Sequence, residues 1–162
     1  MKIGLLSDTH SFLDTHIFAH FAGCDEVWHA GDIGDVETLR HLVDSFPVVR
    51  AVSGNIDNCD VRRMVPELQN FVTGGAHIIM THIGGYPGRY APGMRTLLAK
   101  ERPTIFVSGH SHLLRVMFDR DLGILHINPG AAGRQGWQQV RTLVRFDIED
   151  GIPRNLEVIE LH

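Results

Sequence analysis

The sequence Met1-Lys-Ile-Gly-Leu-Leu-Ser-Asp-Thr-His10 contains a short apolar run that ends at an aspartate, with a histidine two positions later. Its isoleucine and leucines are of the kind that pack on both faces of a buried strand. The turn that follows such a strand can aim the Asp8 carboxylate and the His10 imidazole at one point, and we interpret the pair as part of a metal site. Because Asp-x-His also occurs in ordinary turns and at helix starts, support must come from the rest of the chain.

Four later apolar runs end in the same way, at polar side chains that could bind a metal. These ends are Asp32 after Glu26–Ala30, Asn55 after Val48–Ser53, His82 after His77–Met80, and His110 with His112 after Thr104–Ser108. The carboxyl ends of parallel strands line one crevice in open α/β sheets. The sequence therefore predicts that these side chains converge with Asp8 and His10.

The segments between these runs predict an α/β fold with an antiparallel last third. Helical spacing of apolar residues occurs at Phe12–Phe21, at Val36–Val43 after a capping Asp35, and at Met94–Leu98 before Pro103. Phe71–Val72 and His77–Met80 predict a hairpin. Asp60–Glu67 and Gly84–Gly93 have no clear period and are predicted to be loops, the second a mobile rim. The last predicted strands and turns are Val116–Phe118, Asp121–Gly123, Ile124–Ile127, Val140–Ile148, Asp150–Pro153 and Leu156–Leu161.

Length and composition narrow the class of protein. A chain of 162 residues without a linker or repeat suits a single domain over residues 1–162. The two cysteines have no metal-binding or redox spacing, and no apolar run is long enough for a signal-peptide core or a membrane span, so we expect a cytoplasmic protein. The net charge of −4 argues against an extended nucleic-acid surface but is compatible with a small anionic substrate neutralised by metal.

The seven candidate ligands are four imidazoles, two carboxylates and one amide, without a thiolate. This set suits Mn, Fe, Co, Ni or Zn better than Cu(I) or a structural zinc site. Seven ligands are too many for one catalytic ion that keeps room for water, whereas two ions sharing a carboxylate would use them. Asp32 is our choice for the shared ligand, because Gly31 and Gly34 permit close approach. Two ions roughly 3.5–4 Å apart can hold a bridging hydroxide and clamp phosphoryl oxygens, which is the chemistry of phosphoester hydrolysis.

The ordered set Asp8-x-His10, Gly31-Asp32, Gly54-Asn55-x-Asp57, His82 and Gly109-His110-x-His112 resembles the calcineurin-like metallophosphoesterase family, most closely its small single-domain prokaryotic phosphodiesterases. The resemblance implies an α/β/β/α sandwich of two mixed β-sheets flanked by helices. It also implies two divalent metal ions, most often manganese, with one on Asp8, His10, Asp32 and His112 and the other on Asp32, Asn55, His82 and His110. The implied function is hydrolysis of a small phosphodiester by a metal-bridging hydroxide, in which Asp32, Asn55 and His82 act through the metals.

Ile56 departs from the family pattern. Many members have a histidine after the motif asparagine, which contacts the phosphate or protonates the leaving group, and isoleucine can do neither. General-acid assistance of this kind is commonly worth about 10² to 10⁴ in rate. We therefore expect a preference for diesters with good leaving groups. Ile83 stands where the family usually has glycine, which predicts a locally reshaped rim.

Other polar residues receive roles outside direct metal binding. Asp57 is expected to organise the turn around the site. Arg89 and Tyr90 are the pair we choose as substrate contacts, although a solvated surface role fits Arg89 at least as well. The same two readings apply to Arg62, Arg63 and Arg95. Three histidines are interpreted as ordinary strand positions: His29, His77 and His126.

A non-enzymatic role remains open, because the same fold serves as a scaffold in the vacuolar sorting subunit of retromer. The complete ligand set favours catalysis, since a scaffold has no physical need for seven converging ligands. A homo-oligomer is also compatible with the sequence. A serine hydrolase is excluded by the lack of a Gly-x-Ser-x-Gly elbow, and an amidohydrolase barrel by the short chain.

Overall fold

The first strand is buried on both faces, as its sequence predicts. The computed structural model describes residues 1–162. On one face of β1 (Lys2–Leu6), Ile3 and Leu5 enter the core between two sheets, and on the other Leu6 packs with Phe21. A strand covered on both faces belongs in the middle of a sheet, and β1 is the central strand of the first one.

The first sheet has five strands in the order β12-β11-β1-β2-β3. The remaining bounds are β2 Glu26–His29, β3 Val49–Ala51, β11 Arg141–Glu149 and β12 Ile152–Leu161. β1, β2 and β3 are parallel, and β11 and β12 are antiparallel additions on the other side of β1. Leu6 pairs with His29, and His29 with Ala51, so the three parallel strands end level with one another.

The second sheet repeats this plan with a parallel centre and antiparallel edges. Its order is β4-β5-β8-β10-β9, with β4 Leu68–Thr73, β5 Ala76–Thr81, β8 Ile105–Val107, β9 Leu114–Asp119 and β10 Ile124–Pro129. β5, β8 and β10 are parallel, whereas β4 and β9 are antiparallel edge strands. A separate two-stranded hairpin is formed by β6 (Gly85–Tyr86) and β7 (Arg89–Tyr90).

Helices cover the outer faces of both sheets, which confirms the predicted α/β/β/α sandwich. Their bounds are α1 His16–His20, α2 Val36–Ser45, α3 Cys59–Met64 and α4 Met94–Glu101. Ile17 of α1 packs on the outer face of the first sheet, and Leu98 of α4 packs on that of the second. Between the sheets, Trp28 and Phe146 meet edge to face at 5.7 Å. No helix combines the length and the apolar character needed to cross a bilayer.

The first predicted helix, Phe12–Phe21, is wrong in its first turn, because helix α1 begins only at His16. Asp14 is the reason. Its carboxylate is buried, accepts a hydrogen bond from the His16 backbone N–H at 3.0 Å, and pairs with Arg141 at 2.8 Å. Phe12 lies instead beneath the Arg134 guanidinium, at 4.2 Å. A tertiary ion pair therefore overrides the local helical pattern.

Two predicted loops contain short elements. Asp60–Glu67 includes most of α3, which is capped by the Asn58 side chain and buries only Val61, too little to produce a periodic signal. Gly84–Gly93 holds the β6–β7 hairpin rather than a structureless rim.

The last predicted turn is also too long. The chain reverses at Asp150 and Gly151, both with positive φ, and β12 starts at Ile152. Pro153 is tolerated within β12 because this is an edge strand.

Candidate metal centre

All seven predicted ligands follow the carboxyl ends of parallel strands. The first sheet supplies Asp8 and His10 after β1, Asp32 after β2 and Asn55 after β3. The second sheet supplies His82 after β5, and His110 with His112 after β8. The site therefore lies where the parallel centres of the two sheets end side by side.

Six of the seven ligands fall into two groups that share one carboxylate. Potential ligand atoms of Asp8, His10, Asp32 and His112 lie within 4.8 Å of one another, and the same holds for Asp32, His82 and His110. His112 Nε2 lies 3.2 Å from Asp8 Oδ1, and His82 Nε2 lies 3.2 Å from Asp32 Oδ2. Asp32 Oδ2 is also 3.5 Å from His10 Nε2.

The inward-facing atoms of this cluster lack hydrogen-bond partners. Asp8 Oδ1, His10 Nε2 and His82 Nε2 are buried without a hydrogen bond, although each lies close to another ligand atom. A buried polar atom left in this way costs about 1–3 kcal/mol. Divalent cations bound in the two groups would satisfy these atoms, because imidazole nitrogens and carboxylate oxygens around an ion must approach one another closely. The residues present therefore fit a metal.

Two of the histidines are oriented by hydrogen bonds from the far side of the ring. His82 Nδ1 donates to the Ala30 carbonyl at 2.7 Å, and His112 Nδ1 donates to Gln138 Oε1 at 2.9 Å. Both acceptors lack protons, so each neutral ring keeps its proton on Nδ1, and Nε2 is the nitrogen that can bind a metal. The sequence analysis did not identify Gln138. It lies in the loop before β11, and no sequence signal relates it to His112.

The charge of the cluster follows from the same contacts. The contact with Asp8 raises the pKa of His112 to about 9. Burial opposes protonation of His82, but Asp32 and Asp8 outweigh it and raise its pKa. Without metal, His112 is therefore charged at neutral pH and protonation of His82 is favoured, and metal binding would displace these protons.

The backbone at the site is strained. Nine non-glycine residues in the chain have a positive φ, and five of them are predicted ligands: Asp8, His10, Asp32, His110 and His112. The left-handed region costs a residue with a Cβ roughly 1–3 kcal/mol. Such conformations cluster where geometry serves a function, and here they aim side chains from the strand ends into one space.

Glycines allow the ligands to approach one another. A Cβ on Gly54 would collide with the Asp32 carboxylate, and one on Gly31 would lie 2.6 Å from His82 Nδ1. The Gly54 loop is fixed by Asp57, whose carboxylate accepts hydrogen bonds from the N–H groups of Gly54 at 2.8 Å and Gly34 at 2.8 Å. Asp57 thus ties the loops after β2 and β3 together.

Asn55 lies at the open side of the cluster. Its side chain is exposed and lines a cavity of about 280 Å³ together with His82 and Arg62. Arg62 donates to the carbonyls of Asp57 at 2.7 Å and Gly54 at 2.9 Å, so part of its hydrogen-bonding capacity holds this loop.

The remaining predicted residues lie outside the two ligand groups. Arg89 lines a cavity that also includes His110. Tyr90 does not line that cavity, and its hydroxyl donates to Asp119 at 2.6 Å. Ile56 is 44% exposed and its backbone N–H donates to Asp32 at 3.1 Å, and Ile83 is 49% exposed.

Comparison with known proteins places these observations in a family. The model of the calcineurin-like phosphoesterase superfamily domain matches residues 1–151. A probable metallophosphoesterase from Methanocaldococcus jannaschii is 30% identical over 166 residues, which cover 99% of this chain and 82% of that protein. The structure of an archaeal phosphodiesterase aligns with a TM-score of 0.79 at 20% identity, covering 99% of this chain and 100% of that one. Vps29 from Entamoeba histolytica, complexed with zinc, aligns at 0.75 and 17% identity, with 99% of each chain covered. At these identities the two structures show a shared fold.

Proposed function

Since this chain belongs to the calcineurin-like phosphoesterase superfamily, we propose that it is a phosphodiesterase that uses two divalent metal ions. The observation that carries the proposal is the pair of ligand groups that share Asp32. Their unpartnered inward atoms support metal binding, and the sharing supports two adjacent ions rather than one.

The chain offers a defined set of ligands for each ion. One ion would bind Asp8, His10, Asp32 and His112, and the other would bind Asp32, His82, His110 and Asn55. The nitrogen and oxygen donors suit manganese, and also iron, cobalt, nickel or zinc. Bound ions of this kind lower the pKa of a water molecule and neutralise charge on phosphoryl oxygens.

Hydrogen bonds within the protein preorganise these ligands. The hydrogen bonds to Ala30 and Gln138 fix two imidazoles in the tautomer that a metal requires. Asp57 holds the loops that present Asp32 and Asn55. Because these groups are positioned before the substrate binds, little reorganisation is needed during the reaction.

The leaving group receives little help from the residue after Asn55. Ile56 has no proton to donate, and its exposed side chain offers an apolar contact only. We therefore propose small phosphodiesters whose alcohol leaves without strong general-acid assistance. Arg89 is our candidate for a contact with the anionic substrate, because it lines the cavity beside His110.

A scaffold function is the second candidate, and the likeness to Vps29 is the observation that favours it. In that case the ligand cluster would bind metal for structural reasons and no phosphoester would be hydrolysed. Metal content alone does not separate the two functions, so activity must be measured on metal-loaded protein.

The test combines metal analysis with Mn-dependent hydrolysis of bis(p-nitrophenyl) phosphate. We expect two equivalents of bound metal and activity that Asp8→Asn and His82→Ala each reduce by more than about 100-fold. His41→Ala is a suitable control, because this exposed histidine lies on α2 outside the cluster. A protein that binds metal fully and hydrolyses no phosphoester would favour the scaffold.

A further inference from the structure

Two arginines without a carboxylate partner lie beside the β6–β7 hairpin. The guanidinium carbon of Arg115 lies 3.6 Å from the centroid of the Tyr86 ring, so the two groups are stacked. Tyr86 is paired with Arg89 across the hairpin. Side chains that oppose each other on antiparallel strands project from the same face, with Cβ atoms about 4.5–5.5 Å apart. Tyr86 therefore brings both arginines to one side of the hairpin.

Both arginines line a cavity next to the metal cluster. The cavity has a volume of about 330 Å³, and His110, one of the predicted metal ligands, forms part of its wall. Arg115 lies opposite Asn128 in the β9–β10 ladder, and the Asn128 amide supports the loop that carries His110 by donating to the Gly109 carbonyl at 2.9 Å. The cavity thus adjoins the place where a phosphate would react.

The positive charge of this cavity is not balanced within the protein. None of the residues that line it is acidic. Burial and then the charge of Arg115 lower the pKa of His126, which also lines the cavity, to about 4, so this ring is neutral at pH 7. Six other arginines of the chain pair with a carboxylate, whereas Arg89 and Arg115 do not: Arg50, Arg62, Arg63, Arg141, Arg145 and Arg154.

Arg115 is the more informative of the two arginines. An exposed arginine such as Arg89 needs no partner, because water solvates it. Arg115 is partly buried, and stacking on Tyr86 holds its guanidinium plane while leaving the N–H groups at the edge of that plane free. A held guanidinium with free N–H groups and a second arginine beside it favours an anion, which can accept several charge-assisted hydrogen bonds at once.

We propose that Arg115 and Arg89 bind a second anionic group of the substrate, a phosphate monoester carried by one of the alcohols of the diester. The inference rests on the proposed phosphodiesterase function and narrows its substrate class to diesters that carry an additional phosphate. Such a group has about 1.5 to 2 negative charges at pH 7, which matches two arginines better than a carboxylate does. The same arginines disfavour ammonium head groups such as choline or ethanolamine.

The test compares p-nitrophenyl diesters in matched pairs that share this leaving group. In the first pair the other alcohol is the 5′-hydroxyl of thymidine, with or without a phosphate on the 3′-hydroxyl. In the second pair it is ethylene glycol, with or without a phosphate on the second hydroxyl. The two pairs place the additional phosphate at two distances from the reacting one.

We expect wild-type protein to prefer the phosphorylated member of at least one pair in kcat/KM. Arg115→Gln should lower that preference about tenfold or more, mainly through KM, because it removes charge-assisted hydrogen bonds. Arg89→Gln should change the preference in the same direction. Arg40→Gln is the matched control, since this exposed arginine lies on α2 and its replacement changes the net charge of the protein equally.

Two kinetic outcomes would overturn the proposal. Equal losses with both members of a pair in Arg115→Gln would place this arginine at the reacting phosphate rather than at a second one. A wild-type protein that prefers the phosphorylated member of neither pair would show that the cavity does not select an additional phosphate.

A binding measurement keeps the test independent of catalysis. Protein labelled with ¹⁵N-arginine is treated with EDTA and titrated with inorganic phosphate at constant ionic strength, and Arg115→Lys identifies the Nε–H resonance of Arg115. This resonance should move saturably. If the metal-loaded protein hydrolyses none of the diesters but the resonance moves in this way, the proposed function fails and the anion site stands. A resonance that phosphate moves no more than chloride does would overturn the anion site.

Discussion

At the scale of single residues, the site combines unfavourable backbone conformations with favourable ligand geometry. Five predicted ligands adopt a positive φ, which a side chain with a Cβ disfavours. The folded protein contains these conformations because the loops after the parallel strands must direct several side chains into one space. Removing a ligand should therefore relieve strain if the replacement tolerates the conformation.

Substitutions of His112 should show this strain directly. In metal-free protein, His112→Gly is expected to be about 1 kcal/mol more stable than His112→Ala, because φ at this position is 60° and glycine adopts that value freely. The measurement is the free energy of unfolding in denaturant with EDTA present. His41 is the matched control, since it lies within α2 and there alanine should be the more stable replacement. A His112→Ala variant that is as stable as His112→Gly would contradict the presence of strain at this position.

Ile56 offers a gain-of-function test. Ile56→His is expected to raise kcat for alkyl phosphodiesters by about 10-fold or more, with a smaller effect on nitrophenyl diesters, because a proton donor helps only a poor leaving group. The side chain is 44% exposed, so the substitution should not disturb the core. Ile56→Phe is the control, since it adds a ring without a proton to donate. Equal gains on both kinds of ester would argue against general-acid assistance.

At the scale of elements, the loops matter as much as the strands. The Asn128 side chain at the end of β10 donates to the Gly109 carbonyl at 2.9 Å and to the Ser111 hydroxyl at 3.1 Å, so one sheet strand supports the loop that carries His110 and His112. The loop before β11 supports His112 through Gln138, whose amide nitrogen donates to the Gly133 carbonyl at 3.1 Å. Ligand orientation is therefore distributed over elements that bind no metal.

Replacing Gln138 tests this support. Gln138→Ala should weaken metal affinity roughly 10- to 100-fold, because His112 loses the partner that holds its ring and its tautomer. Isothermal titration with Mn²⁺ measures the change. Gln139→Ala is the matched control, since the neighbouring side chain is exposed and should leave affinity unaltered. If the two variants bind metal alike, Gln138 does not position His112.

At the scale of the whole molecule, two buried neutral histidines link stability to pH. The pKa of His29 and that of His126 are each lowered to about 4, with burial as the main cause. Below about pH 6.5 the unfolded chain protonates these rings while the folded protein does not, so stability falls as the pH falls from 6.5 towards 4. His112 acts in the opposite sense, because its raised pKa contributes stability that is lost as pH rises from 6.5 through 9.

Comparison of wild type with His126→Gln isolates one of these contributions. Between pH 7 and pH 5, in EDTA, wild type is expected to lose about 2 kcal/mol relative to the variant, because only wild type must keep this ring neutral. Chemical denaturation at the two pH values gives the difference, and the contribution of His112 cancels. His41→Ala should follow wild type. A variant that loses as much stability as wild type would show that His126 is already protonated in the folded protein.

The sequence alone determined the character of the fold and the list of candidate ligands. Short apolar strands that end at Asp, Asn or His residues form a local sequence pattern. The structure retains this pattern because such apolar strands are buried inside a sheet. The sequence did not determine where helix α1 begins, since the Asp14–Arg141 ion pair joins residues far apart in the chain. It also missed α3 and the β6–β7 hairpin, which bury too few side chains to leave a periodic signal.

Only the tertiary structure decided which polar groups face one another. The sharing of Asp32 between two ligand groups, the support of His112 by Gln138, and the unpartnered Nδ1 of His126 all depend on distances between separate strands and loops. His29 and His126 look alike in sequence, as histidines within buried strands, but Nδ1 of His29 receives the Gly31 N–H whereas Nδ1 of His126 is buried without a hydrogen-bond partner. Strand patterns report burial, because burial is set by each residue's own polarity. Hydrogen-bond partners are set by packing between elements, which a local pattern does not contain.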